Sequence, residues 1–400
     1  MRILIVHNEY KFPGGEDVVV EQEEALLRQA GNQVALYRRN NRELDQQSSL
    51  QRLGRLPSAV WAWDAKAEIS RILKEFNPEV VHVHNTLTMI SPAVFWACHE
   101  AGIPAVMTLH NFRLYCPAGT FFRDGHVCED CPQQSLWQGV KHGCYRDSRA
   151  ATAAAALTLA VHRRLGTWMR AVEFYIAFHD FARRKMTEVG LPAEKILVKP
   201  NFVSPDPGQG AGNGGYALYV GRLTVDKGIP VLLAAWKRLN GRIPLMIAGE
   251  GPLQDLVAEA AQSIPGITYR GRLPRAETLR AMKEARFLLF PSVWYEGFPV
   301  TIAESLACGV PVVASRMGAM EGLISDGQTG LHFVPGSGDD LAERALWLWE
   351  HPEKSREMGS AARAEYLAEY TAEKNYPVLM DIYRRAIDQK QSSEKMGAIR

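Results

Sequence analysis

The chain has 400 residues, 46% of them apolar and 22% charged, and a net charge of +2. That length exceeds one ordinary hydrophobic core, so two domains are expected. The near-neutral charge excludes a general nucleic-acid footprint, and the longest run of small apolar residues, Ala150 to Val161, is too short for a bilayer span of about 20 residues. MRILIVHNEY at the start reads as a first strand and not as a signal peptide, which makes the cytoplasm the expected compartment.

Short β-branched runs then alternate with helical stretches. RILIVHN is a strand, GGEDVVVEQEEALLRQAG a helix closed by Gly31, and QVALYRR a strand. A helix from Trp61 to Phe76 stops before Pro78. The strand VVHVHN, a helix from Ser91 to Ala101 and the strand AVMTLHN follow. After a cysteine-bearing insert comes a long helix from Arg149 to Val172, then YIAFHD, a helix from Ala182 to Val189, and ILVKPNF. SPDPGQGAGNGGY, dense in Gly and Pro, reads as a linker. Beyond it YALYVGR, PLMIAGE, ITYRG, RFLLFPS, VPVVAS and Gly330 to Val334 are strands, again separated by helices. This βα alternation predicts parallel strands covered by helices. The expected boundaries are a first domain over 1–203, a linker over 204–215, a second domain over 216–370, and a C-terminal helix over 371–400 that crosses back to the first domain and frays from Gln389.

In open α/β sheets, ligands bind outside the carboxyl ends of the strands. Three glycine-bearing loops of the second half fall there. YVGRLTVDKG offers Arg222 and Lys227, two cations suited to a diphosphate. IAGEGPL places Gly249 and Gly251 where backbone must turn tightly or approach a ligand. SVWYEGFPVTIAESLACG puts Glu296 and Glu304 eight residues apart. Pro299 suits a first helical turn and Gly309 a helix end. Backbone N–H groups from Gly297 to Thr301 would therefore face an anion, while two carboxylates flanked by apolar runs would accept hydrogen bonds from sugar hydroxyls.

The combination G-R-L-x-x-x-K-G (Gly221 to Gly228), G-E-G-P (Gly249 to Pro252) and E-x7-E (Glu296 to Glu304) resembles glycosyltransferase family 4, as does PVVASRMGAMEGLISDGQTGLHF. The resemblance implies an α/β GT-B fold, with two Rossmann-like doubly wound domains facing a central cleft, here with a four-cysteine insert in the N-terminal domain. It implies a retaining transferase that needs no metal for transfer and uses a nucleoside-diphosphate sugar as donor, with a glycan or lipid-linked acceptor. Arg222 and Lys227 would bind the diphosphate and neutralise the leaving group. Glu296 would hold the donor sugar, Glu304 the ribose, and Gly221, Gly249, Gly251, Gly297, Phe298, Val300 and Thr301 would contact the donor. In the first domain Gly14 and Gly15, in KFPGGED, match the family's glycine loop, and His110 matches its active-site histidine. Asn111 follows, where the family often has Asp. No Asp-x-Asp motif of metal-dependent transferases is present.

Cys116, Cys128, Cys131 and Cys144 are separated by 11, 2 and 12 residues. A C-x-x-C pair with two outer thiols fits a structural zinc site. An iron–sulfur cluster and unliganded thiols or disulfides are the alternatives. Arg38 to Trp63 and His162 to Arg170 pair basic residues with Trp, which suits peripheral contact with an anionic membrane surface; solvated helix faces with buried Trp are the plainer reading. Against transfer stand a sugar-nucleotide epimerase on the same fold and an inactive, metal-stabilised interaction protein.

Overall fold

Burial without alternation marks strands covered on both faces, and the structure, a computed structural model, assembles such runs into two six-stranded parallel sheets. It describes residues 1–10, 14–44 and 56–398. Lys11 to Pro13 of the KFPGGED loop and the centre of the Arg38 to Trp63 segment lie outside the described residues.

The first sheet contains β1 (Arg2–Glu9), β2 (Gln33–Asn40), β3 (Val80–Asn85), β4 (Ala105–Thr108), β5 (Phe174–Ala177) and β6 (Ile196–Val198), in the order β2-β1-β3-β4-β5-β6. Its unit comprises Met1–Phe121, Glu129–Lys199 and the stretch from Tyr376 onward. Ile3, Ile5, Val80, Val106 and Ile176 from the strands pack with Leu379, Ile382 and Tyr383 of the C-terminal helix in one core.

The second sheet contains β7 (Ala217–Val220), β8 (Leu245–Ala248), β9 (Ile267–Tyr269), β10 (Phe287–Phe290), β11 (Val312–Ser315) and β12 (Gly330–Phe333), in the order β9-β8-β7-β10-β11-β12. Its unit comprises Phe122–Cys128 and Pro200–Asn375. Alternate residues of each strand feed opposite faces. Leu289 joins Leu232, Trp236 and Leu341 on one side, and Leu288 joins Ile302 and Leu306 on the other. The strand order reverses between β1 and β3 in one sheet and between β7 and β10 in the other, and such switch points open a crevice at the strand ends.

Three sequence expectations shift. The long helix expected from Arg149 to Val172 is α2 (Arg149–Arg164) followed by a separate turn, Thr167–Arg170, because Gly166 adopts φ 71° and ends the first helix. The polar tail from Gln389 continues α5 (Ala372–Ala398) instead of fraying. Once Leu379 to Ala386 is anchored, each further residue adds a hydrogen bond without a new nucleation cost.

The glycine-rich stretch, expected as a linker, is hydrogen-bonded along its length to the second unit. The N–H groups of Gly210, Gly212 and Gly214 donate to the carbonyls of Cys308, Lys283 and Glu284 at 2.8, 3.0 and 2.8 Å. A Cβ on Gly210 would stand 2.2 Å from the Lys283 carbonyl oxygen, so only glycine permits the approach. Gly210→Ala is expected to cost about 1–3 kcal/mol, as overpacking does. Chemical denaturation followed by Trp236 fluorescence checks this, with Gly322→Ala, which meets no neighbour, as the near-neutral control.

Candidate active site

The second-unit site grows from three loops at the carboxyl ends of adjacent strands. The loop after β7 is laced to the loop after β8, with Leu223 N–H donating to Glu250 O at 2.9 Å and Leu253 N–H to Leu223 O at 3.0 Å. A Cβ on Gly249 would lie 1.9 Å from Gly221 O. On the other side Val293 N–H donates to Asp226 O at 2.9 Å, joining the β7 loop to the loop after β10. Gly228, at φ 75°, caps α3 (Ile229–Leu239) and leaves no room for a Cβ beside Pro291.

This lacing brings Lys227 onto Glu296. Lys227 Nζ lies 2.7 and 2.9 Å from the two carboxylate oxygens. Ser292 Oγ and Trp294 Nε1 also donate to Glu296 Oε1, at 2.6 and 2.8 Å. The ammonium packs over the Trp294 ring, 5.2 Å from its centroid. Glu296 is 4% exposed, and its donors are what permit a carboxylate there. Arg222 reaches toward solvent, with Asp226 as its partner at 3.6 Å. The two cations of the motif therefore have separate partners in this structure.

Glu304 lies on α4 (Val300–Ala307), paired with Arg275 at 2.6 Å. Burial raises its carboxyl above the usual range, and the Arg275 guanidinium works against that rise. Pro299 precedes the helix, whose first-turn N–H groups, Val300 and Thr301 among them, have no intrahelical acceptor. Gly297 is half-buried, and the Phe298 ring lies 6.2 Å from that of Tyr370.

In the first unit, polar side chains gather at the ends of β1, β3, β4 and β6. His7 Nε2 meets Asp17 Oδ1 at 2.8 Å, and Asp17 Oδ2 accepts from Gly14 N–H at 2.7 Å, capping α1 (Gly15–Gln29). Among the described residues nothing lies within 4 Å of a Cβ on Gly15. His110 Nε2 and His84 Nδ1 are 3.0 Å apart. Asn111 Nδ2 donates to Glu16 Oε1 at 2.8 Å, so a carboxylate from α1 stands beside the position where the sequence lacks one. Burial raises the Glu16 carboxyl above its ordinary range. A cavity of about 50 Å³ is lined by His84, Thr86, Thr108, His110 and Asn111, among others.

Deeper, Lys199 Nζ donates to Glu23 Oε1 at 2.7 Å, both side chains fully buried. Burial is the largest effect on Glu23 and opposes its ionisation, but Lys199 together with the neighbouring imidazoles His82 and His110 brings the carboxyl below its usual range. Burial also lowers His82 to about 4 and His110 to about 3, and puts His84 well below the ordinary imidazole range. The ligand atoms of Glu23, His82 and His84 lie within 4.8 Å of one another, a spacing that admits a metal ion. The trio does not fit one. Lys199 already neutralises the carboxylate, and both His82 nitrogens are taken, by Tyr383 Oη at 2.8 Å and Thr108 Oγ1 at 2.7 Å.

The six cysteines form no disulfide. Gly139 brings three of them into one neighbourhood. A Cβ there would lie 3.3 Å from both Cys131 Sγ and the Pro117 side chain next to Cys116, and its carbonyl accepts from Cys144 N–H at 3.1 Å.

Comparison with known proteins decides the family. Residues 13–207 match "Glycosyltransferase Family 4" and residues 208–365 match "Glycosyl transferases group 1". A phosphatidyl-myo-inositol mannosyltransferase of Mycobacterium leprae is 30% identical over 255 residues, 60% of this chain and 67% of that one. The chain belongs to the group 1 glycosyltransferases. D-rhamnosyltransferase WbpZ of Pseudomonas aeruginosa is 31% identical over 189 residues, 46% of this chain, and the match spans only 49% of that relative's length. The crystal structure of HepE from Anabaena in complex with UDP superposes with a TM-score of 0.65 at 18% identity, covering 98% of this chain and all of the other. The fold is therefore GT-B.

Sequence reasoning missed Ser292, Trp294 and Arg275, which hold the two glutamates, and the buried pair Glu23 and Lys199. Ser292 and Trp294 stand in the same loop as Glu296, so a polar residue at a strand end next to a buried acid was the available signal. Nothing local marks Glu23 and Lys199, which are 176 residues apart.

The buried imidazoles predict a pH response. Their folded-state pKa values lie below the unfolded value near 6.5, so below pH 6.5 the unfolded chain binds more protons and stability falls on acidification. Thermal melts should show a decrease of about 4 °C or more between pH 7 and pH 5, and His84→Gln should make that slope shallower.

Proposed function

We propose that the protein is a retaining, metal-independent glycosyltransferase. It moves a hexose-type sugar from a nucleoside-diphosphate sugar to a glycan or lipid-linked acceptor in cell-surface polysaccharide or glycolipid synthesis. The observation that carries this reading is the Lys227–Glu296 pair at the β7/β10 switch point. Relatives named for rhamnosyl and mannosyl transfer support a hexose-type sugar, and HepE in complex with UDP supports a nucleoside diphosphate.

Transfer breaks the bond between the anomeric carbon and the phosphate oxygen, so negative charge builds on the leaving diphosphate. Lys227, Arg222 and the N–H groups at the start of α4 receive that charge. Glu296 accepts from donor-sugar hydroxyls through Oε2, the oxygen with a single donor in this structure, and Glu304 accepts from the ribose. Gly221, Gly249 and Gly251 bring backbone close to the donor. The acceptor hydroxyl attacks from the face the phosphate leaves, and its proton passes to the departing phosphate oxygen. That route retains configuration and needs no enzyme nucleophile. His110, with Gly14 and Gly15, orients sugar and acceptor in the first domain.

The enzyme works in the cytoplasm, with peripheral contact to the inner membrane face through the basic, Trp-bearing segments. Among the described residues no helix is long and apolar enough to cross a membrane. Cys116, Cys128, Cys131 and Cys144 hold a structural zinc that orders the insert. The neighbourhood of Gly139 and the lack of disulfides support this reading.

A nucleotide-sugar turnover assay tests the donor site. Lys227→Ala should lower kcat/KM by about 100-fold or more, as loss of one charge-stabilising group does, while Lys237→Ala, on the solvent face of α3, should leave it unchanged. Equal rates for Lys227→Ala and wild type would remove the reading, and the anomeric configuration of the product by NMR decides retention. Elemental analysis of purified protein should find about one zinc per chain and a loss in Cys131→Ser; a metal-free wild type would end the zinc proposal.

A further inference from the structure

The buried polar cluster of the first unit contains two unsatisfied atoms that face each other. Glu23 Oε2 and His84 Nε2 are both fully buried without a hydrogen-bond partner, and they lie 3.5 Å apart. An approach of about half an ångström would satisfy both. Glu23 Oε1 is occupied by Lys199 at 2.7 Å, and His82, the other imidazole near Glu23, already spends both nitrogens on Tyr383 and Thr108. Two imidazole nitrogens stand near that carboxylate oxygen among the described residues, His84 Nε2 at 3.5 Å and His82 Nδ1 at 3.6 Å; His82 Nδ1 is bonded to Tyr383 Oη, which leaves the Nε2–H of His84 to meet it. With that proton on Nε2, His84 Nδ1 is an acceptor, and its partner at 3.0 Å, His110 Nε2, must be the donor.

We propose that Glu23, held ionised by Lys199, fixes the tautomers of His84 and then of His110, so that His110 offers an unprotonated Nδ1 to a ligand hydroxyl. Glu23, Lys199 and His84 are then positioning residues, and His110 acts as a hydrogen-bond acceptor and not as a cationic or N–H donor. The assignment deepens the role given to His110 under the proposed function and rests on it only for the identity of the ligand.

The groups facing the two imidazoles act in both directions: Asp17 and Glu23 favour a charge on His110, while burial, His7 and Lys199 oppose one and prevail. His7 comes from β1, Asp17 and Glu23 from α1, His82 from β3, Lys199 from the end of β6, and Tyr383 from α5. Burial disfavours a charge on either ring, and the nearby Lys199 adds to that effect. A second proton on His110 would also leave His84 Nδ1 facing a cation while the ammonium stays close by.

The decisive measurement is 15N NMR of the full chain labelled at histidine, with His84 and His110 assigned by single His→Gln variants. Both rings should be neutral Nε2–H tautomers from pH 6 to 8. A Nδ1–H tautomer at either ring, or an imidazolium at pH 6, overturns the proposal, and this test requires no turnover. Glu23→Gln should scramble the His110 tautomer and lower kcat by about 10-fold or more, with little change in KM for the nucleotide sugar. Because Glu23→Gln removes the carboxylate that Lys199 pairs with at 2.7 Å, the pair Glu23→Gln with Lys199→Met is measured beside it. If that pair folds and keeps the wild-type tautomers and kcat, Glu23 does not position His110. A wild type that turns over no nucleotide sugar would remove the transferase reading and leave the tautomer result standing.

Discussion

A carboxylate that is 4% exposed needs donors within reach, and Glu296 receives them from Lys227, Ser292 and Trp294. That single requirement organises the second unit's site. Lys227 can reach Glu296 only because the loops after β7 and β10 are joined through Asp226 and Val293. Those loops adjoin because β7 and β10 are paired neighbours in the sheet. Removing one partner of such a pair strands a buried charge, at a cost of several kcal/mol. The pair therefore ties the integrity of the site to the chemistry proposed for it.

The first unit solves a related problem differently. Its strand ends carry His7, His82, His84 and His110, and its single fully buried carboxylate, among the described residues, is offset by Lys199. Neutral imidazoles can be buried at modest cost if each nitrogen finds a partner. His82 does so completely, through Tyr383 and Thr108, and reads as a structural strut. His84 and His110 share one hydrogen bond, which leaves capacity for a ligand. Four histidines of one chain thus hold different offices, decided by their neighbours.

The architecture was readable because uninterrupted apolar runs such as FLLF and VVAS have no other stable home than a doubly covered sheet. The donor motifs were readable because glycine, cation and acid sit at fixed offsets from strand ends. What escaped were relations between distant stretches. Arg275 on Glu304 and Glu16 beside Asn111 depend on which loops become neighbours, and no local pattern encodes that. The glycine-rich stretch reads as a linker from its composition, and what composition does not show is that the small size of Gly210 and Gly214 serves close backbone contact with Lys283 and Glu284.

The contact between Gly249 and Gly221 limits what the two loops can carry. Because no side chain fits at Gly249, any substituent there would have to pry the loops after β7 and β8 apart. Changes of side chain that leave this seat intact are therefore confined to the positions around it.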